Sequence, residues 1–208
     1  MTATRNGHSV RLRSGDRVLV RALRPEDRTR LATAVARMTD ESRYRRFHGV
    51  MHELPKPMLD YLIHIDHDGH EALVALAPRT DEIVGVARFG RHHDHPDTAE
   101  IAVAVADSWQ RRGLATTLLR HLARRAVEVG VSHFTAQILA DKVPTLELVR
   151  GLGDTEITAD GPMVTARMNA TKLSTSNPTR TRRWNRWLAG SSSRRRGRLK
   201  RARARRPS

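Results

Sequence analysis

Residues 98–116, TAEIAVAVADSWQRRGLAT, decide the fold. The first half predicts a strand, because Ile101, Val103 and Val105 alternate with Ala102 and Ala104 after the acidic Glu100. The second half, Gln110, Arg111, Arg112, Gly113, Leu114, Ala115 and Thr116, is a basic, glycine-containing turn. It opens into an amphipathic helix with Leu114, Leu118, Leu122, Ala126 and Val129 on one side. Strand, basic turn and helix in this order suit a diphosphate. The first turn of a helix has backbone N–H groups without internal partners and a partial positive charge. Gly113 removes a Cβ so that a phosphate can approach the backbone, and Arg111 and Arg112 add full charges. Taken alone, the same pattern also describes ordinary helix capping.

Outward from this stretch, the flanking segments read as an α/β domain. Upstream, Arg17–Ala22 predicts a short strand, and Arg24-Pro25-Glu26-Asp27 starts a helix with proline in its first turn and acids near its N-terminus. A second helix begins at Asp40 and a third covers residues 56–64. Strands follow at 71–77 and 83–89, joined by turn residues at 78–82, and the polar loop 90–96 leads into the central strand. Downstream of the long helix, which ends near Gly130, come a strand at 133–139, a short helix at 144–150 stopped by Gly151, and final strands at 154–157 and 163–168. The prediction is a mixed, mostly antiparallel sheet flanked by helices. Residues 1–15, polar and containing Gly7 and Gly15, are expected to be disordered; 16–169 form the domain; 170–208 form a basic, arginine-rich disordered tail.

Charge divides the chain sharply. The net charge over 208 residues is +16, yet residues 174–208 hold 13 Lys+Arg and no acid, which leaves 25 basic against 22 acidic residues before them. That tail lacks the apolar content to fold alone, and nucleic acid, an acidic lipid surface or an acidic protein could bind it, with Trp184 and Trp187 adding stacking or interfacial anchoring. A purely solubilising role is the plainer alternative. The absence of cysteine excludes disulfides, thiolate metal sites and a cysteine acyl-enzyme. The opening residues contain no apolar segment of signal-peptide length, and no run approaches the ~20 residues that span a bilayer, so a cytoplasmic protein is expected.

The spacing Gln110-x-x-Gly113-x-Ala115, five residues after Val105, resembles the acetyl-CoA signature Gln/Arg-x-x-Gly-x-Gly/Ala of the GNAT superfamily of N-acetyltransferases. The similarity covers roughly residues 16–169. Within the superfamily the chain looks most like the acetyltransferase domains of bacterial protein-lysine acetyltransferases, through RALRPED at 21–27, ESRYRRF at 41–47, EALVA at 71–75, EIVGVAR at 82–88 and residues 99–115. This resemblance implies acetyl-CoA as co-substrate. It implies that backbone groups of Val103, Ala104 and Val105 bond the pantetheine arm as an added strand. It places the diphosphate on Gln110, Arg111, Arg112, Gly113, Leu114, Ala115 and Thr116, and it makes Glu100 the general base. Chemistry agrees with the last role: an amine of pKa ~10.4 is almost wholly protonated at neutral pH and cannot attack a thioester until a carboxylate takes its proton. The plainer reading of Glu100 is a solvent-facing strand residue.

The chain departs from the family pattern in three places. Lys142 stands where the family often has an asparagine; Leu152-Gly153-Asp154 replaces the usual Leu-Gly-Phe; and residues 143–151 contain no tyrosine to protonate the leaving thiolate. The loops with His64, His67 and His70, and with His92, His93 and His95, have spacings that fit no standard metal site, and no metal is expected. Asp66 and Asp68 are instead candidates for an acidic acceptor pocket, and Asp107 for a turn or cap. The expected function is direct acetyl transfer to a protein lysine. The alternatives are acetylation of a small amine, or a non-catalytic, nucleic-acid-associated protein that senses CoA.

Overall fold

The computed structural model describes residues 7–39 and 54–176. In the strand β1 (His8–Arg11), β2 (Arg17–Ala22), β3 (His70–Leu76), β4 (Ile83–Arg91), β5 (Thr98–Val105), β6 (His133–Leu139), β7 (Thr155–Asp160) and β8 (Met163–Asn169), the order across one sheet is β1-β2-β3-β4-β5-β6-β8-β7. Every neighbouring pair is antiparallel except β5 and β6, which are parallel. The helices are α1 (Arg28–Ala36), α2 (Lys56–Ile63), α3 (Leu114–Glu128), α4 (Val143–Arg150) and α5 (Ala170–Thr175). The mixed, helix-flanked sheet expected from the sequence is the sheet observed.

Two apolar layers lie on opposite faces of the sheet. On one, Leu114, Leu118 and Leu122 of α3 pack with Leu73, Phe89, Ile101 and Phe134, joined by Leu146 and Val149 of α4 and Leu173 of α5. On the other, Leu31 of α1 and Leu59 and Leu62 of α2 pack with Ala72, Val74 and Leu76. β3 is therefore covered on both sides, which is why ALVAL reads as a continuous apolar run rather than an alternation. Gly85 sets how closely α3 can approach: a Cβ there would meet Leu118 Cδ1 at 2.9 Å and Leu114 Cδ2 at 3.1 Å. Because Gly85 pairs with Val105, that close packing fixes the start of α3 beside the end of β5.

Charge is also buried. Arg21 donates two hydrogen bonds to Asp27, at 2.5 and 2.7 Å, and both side chains are nearly inaccessible. Under α3, Arg125 Nε donates to Glu71 Oε2 at 2.8 Å, while His67 Nδ1 lies 3.0 Å from Glu71 Oε1. Each carboxylate sits in a low dielectric only because its cation is held in hydrogen-bonding geometry.

Two expectations fall differently. The N-terminal segment expected to be disordered supplies β1, whose residues 8–11 pair with β2. The turn between them is closed by Leu12 N donating to Asp16 O at 2.8 Å, and Leu12 is buried. An edge strand needs only one apolar face, so two apolar residues, Val10 and Leu12, suffice and leave a polar-looking sequence. The domain also runs past residue 169: Asn169 Oδ1 accepts from Lys172 N at 2.9 Å and caps α5, whose Ala170 and Leu173 are buried. The helix expected from Asp40 and most of the tail, 177–208, lie outside the described residues.

Candidate active site

β5 and β6 pair only at Thr98↔His133, Ala99↔Phe134 and Glu100↔Thr135. Both strands continue, β5 to Val105 and β6 to Leu139, so beyond Glu100 they part. On the β4 side the ladder runs on to Gly85↔Val105. The other edge of Val103, Ala104 and Val105 has no strand partner among the described residues, and an extended ligand can add there. Val105 O accepts a long hydrogen bond from Gln110 Nε2, at 3.3 Å.

The turn after β5 is braced from within. Gln110 Nε2 also donates to Asp107 Oδ1 at 2.8 Å, so this side chain fixes the turn, and Asp107 is the turn residue the sequence suggested. Arg111 and Gly113 are both left-handed, at φ +59° and +85°. The first bond of α3 runs from Thr117 N to Gly113 O, at 3.1 Å, which leaves the amides of Leu114, Ala115 and Thr116 without intrahelical acceptors. Gly113 offers no side-chain cap, and the Leu114 side chain is buried, so this residue presents only its backbone. Arg112 has partners within the protein, at its surface: Nη1 donates to Asp16 Oδ2 at 3.0 Å, and Cζ lies 5.2 Å from the Trp109 ring centroid. The Ser14 hydroxyl, and then Arg112, hold the Asp16 carboxyl below its usual range. Arg13, in a segment expected to be disordered, reaches the same turn; its Cβ and Cγ are 3.4 Å from where a Gly113 Cβ would stand.

Glu100 lies on the sheet face away from α3, and it is exposed. Its neighbours on that face are small: Gly90 across β4, Thr135 across β6, and Ala102 next along β5. Among the described residues, the carboxylate therefore stands in a shallow trough at the place where β5 and β6 begin to part. His92 Nε2 reaches Thr135 Oγ1 at 3.1 Å on the far wall. An unhindered carboxylate beside an open strand edge can receive a proton from an amine that arrives on one face while a thioester lies along the edge.

The histidine and aspartate loops have other roles. Asp66 Oδ1 accepts from Asp68 N at 2.9 Å and His70 N at 2.8 Å, closing its own turn, and Asp68 Oδ1 lies 3.4 Å from Arg91 Nη2. Asp66 is thus engaged in its own turn, whereas the Asp68 carboxylate, 77% exposed, stays accessible beside Arg91. The Glu71 carboxylate raises the pKa of His67 through their hydrogen bond, against the opposing effect of burial. Lys142 pairs with Asp141 at 2.8 Å, just before α4.

Fold and site together define an acyltransferase-type scaffold, with an opened sheet, a helix start beside the opening and a carboxylate in front of it. The sequence matches the Acetyltransferase (GNAT) family over residues 34–153, and the chain belongs to that family, whose enzymes use acetyl-CoA. Among curated relatives, it is 30% identical over 144 residues to acetyltransferase Pat of Mycolicibacterium smegmatis, covering 69% of this chain and 43% of that one. It is 37% identical over 113 residues to acetyltransferase PA5475 of Pseudomonas aeruginosa, covering 53% of this chain and 60% of that one. The chain thus spans about half the length of these relatives. Its structure is similar to the crystal structure of the GNAT domain of S. lividans PAT, with a TM-score of 0.74, 25% identity, and coverage of 81% of this chain and 99% of that domain.

Proposed function

We propose that this protein transfers the acetyl group of acetyl-CoA to the side-chain amine of a protein lysine by direct attack in a ternary complex. Glu100 would be the general base. The observation that carries this reading is the exposed Glu100 carboxylate, ringed by Gly90, Ala102 and Thr135 at the point where β5 leaves β6. The pantetheine arm lies along Val103, Ala104 and Val105, and its diphosphate meets the free amides of Leu114, Ala115 and Thr116, with Gly113 permitting close approach and Arg111 and Arg13 supplying charge. Gln110 and Arg112 support the turn that presents those amides. The lysine ammonium gives its proton to Glu100, directly or through one water. The amine nitrogen then bonds to the acetyl carbon as the carbon–sulfur bond breaks, CoA leaves with the electron pair on sulfur, and the surplus proton of the new amide nitrogen passes to that thiolate, directly or through water. A protein acceptor is supported by the likeness to protein acetyltransferases.

Glu100→Gln keeps the shape of the side chain but cannot hold the proton. Thiol release from acetyl-CoA should show kcat lowered on the order of 10²-fold or more, and calorimetry should show acetyl-CoA affinity unchanged. Parental kcat from pH 6 to 9 would remove Glu100 as the base.

A further inference from the structure

One line of residues crosses the sheet on the face that carries Glu100. Register places His70 opposite Gly90, Gly90 opposite Glu100, and Glu100 opposite Thr135. Directly paired residues project from the same face, so His70 and Glu100 flank a position that has no side chain. The His70 ring leans over that position: its Cδ2 and Nε2 lie 3.3 and 3.5 Å from where a Gly90 Cβ would be. Two strand spacings of about 4.8 Å separate the backbones of His70 and Glu100, and the ring takes up part of that width. Between the ring and the Glu100 carboxylate lies a slot floored by the Gly90 backbone.

The far wall of the slot is built from specific contacts. Tyr61, on α2, meets His70 edge to face, with centroids 5.5 Å apart and planes at 81°, and its hydroxyl is 3.4 Å from His70 Nε2. Arg88 Cζ also lies over Tyr61, 5.1 Å from the ring centroid. Arg88 is buried and anchored in β4, whereas Tyr61 is 55% exposed. An exposed aromatic ring pinned on one side by a buried cation and on another by an imidazole is held ready for contact with something outside the chain.

We propose that His70 and Tyr61 are the positioning residues for the acceptor, forming with the Gly90 floor a slot that seats the methylene stem of a lysine side chain and aims its amine at Glu100. The chemistry selects the acceptor class. A straight, unbranched alkylamine fits between an imidazole edge and a carboxylate, whereas a branched or bulky amine does not. Tyr61, at the rim, meets the peptide that carries the lysine. This inference rests on the reading of Glu100 as the base, but it makes a separate claim about binding.

The test is steady-state acetylation of a blocked lysine peptide by full-length protein, with acetyl-CoA saturating. His70→Ala and Tyr61→Ala should each raise the peptide KM on the order of tenfold with little change in kcat, as expected for lost contact with an apolar stem. Gly90→Ala should do the same, because the new Cβ must push the His70 ring aside. His70→Gln, which restores bulk, should recover much of the loss. Acetyl-CoA affinity and thermal unfolding, measured on each variant, separate acceptor binding from misfolding. If one variant unfolds, the other two still decide. A peptide KM within twofold of the parent in the folded variants would overturn the proposal, as would no detectable acetylation of lysine peptides by the parent. The two readings fail separately: a fully active Glu100→Gln with a weakened His70→Ala removes the base and keeps the slot, and the reverse result keeps the base and removes the slot.

Discussion

His121, on α3, is 1% exposed in the main apolar layer. Burial, and then the charges of Arg124 and His8, push its imidazole down to about 4. The sign follows from comparing the two states. The unfolded chain takes up a proton below its ordinary value of about 6.5, and the folded chain does so only near 4, so the proton favours unfolding. Above pH 6.5 the group contributes no pH dependence; between 6.5 and 4 stability drains away, in total on the order of 3 kcal/mol. Urea unfolding of the parent and of His121→Leu between pH 7.5 and 4.5 should show a shallower acid loss in the variant. Parallel curves would assign the acid sensitivity to other groups. Such a residue is hard to find in a sequence, where His121 reads as one more polar position on a helix; only its packing beneath the sheet makes it a titrating liability. Glu100 is the opposite case. Its place in the alternation of β5 was legible, whereas Gly90, Thr135 and His70 became its neighbours only through pairing with other strands.

At the level of elements, the central unit is β5, the turn and α3. The sequence announces each piece, because period-two alternation gives way to a glycine and then to a helical stripe. Gly113 carries the strongest constraint, since a φ of +85° is strained for any residue with a Cβ and worst for a β-branched one. Gly113→Val should therefore weaken acetyl-CoA binding at least tenfold by calorimetry, about 1.4 kcal/mol, through a displaced turn and a blocked approach to the amides. Unchanged affinity would mean that the diphosphate binds elsewhere. The parting of β5 from β6 was not legible in the residues themselves. Both strands have ordinary strand sequences, and the divergence arises because β6 is also held along its whole length by β8. The brace from Gln110 and the tie from Arg112 to Asp16 likewise depend on where distant segments meet.

For the whole molecule, charge is the dominant asymmetry. All 13 basic residues of 174–208 lie beyond Ser176, the last described residue before the rest of the tail, while α5 through Thr175 belongs to the packed domain. A truncation should therefore end at Ser176, so that α5, with its buried Leu173, is kept whole. Protein lacking 177–208 should fold and bind acetyl-CoA as the full chain does. The full chain should bind mixed-sequence duplex DNA with an affinity that falls by orders of magnitude from roughly 50 to 200 mM salt, because each neutralised phosphate releases about one counterion. Anionic vesicles provide the comparison surface. Equal binding by both proteins, or binding indifferent to salt, would leave the tail a solubilising role. Among the described residues no helix is long and apolar enough to cross a membrane.

The sequence by itself determined the order of elements, the strand-turn-helix unit at 98–116, the position of Glu100 on its strand and the split between a near-neutral body and a basic tail. These are local properties, written in alternation, glycine placement and charge, and they need no partner from elsewhere in the chain. The tertiary structure alone decided that β1 joins the sheet, that α5 completes the core, that β5 and β6 separate just after Glu100, and that Asp66 closes its own turn. It also decided that His70 and Tyr61 stand across Gly90 from Glu100. The physical reason is that strand register and helix docking depend on contacts between residues tens of positions apart, which no local pattern encodes.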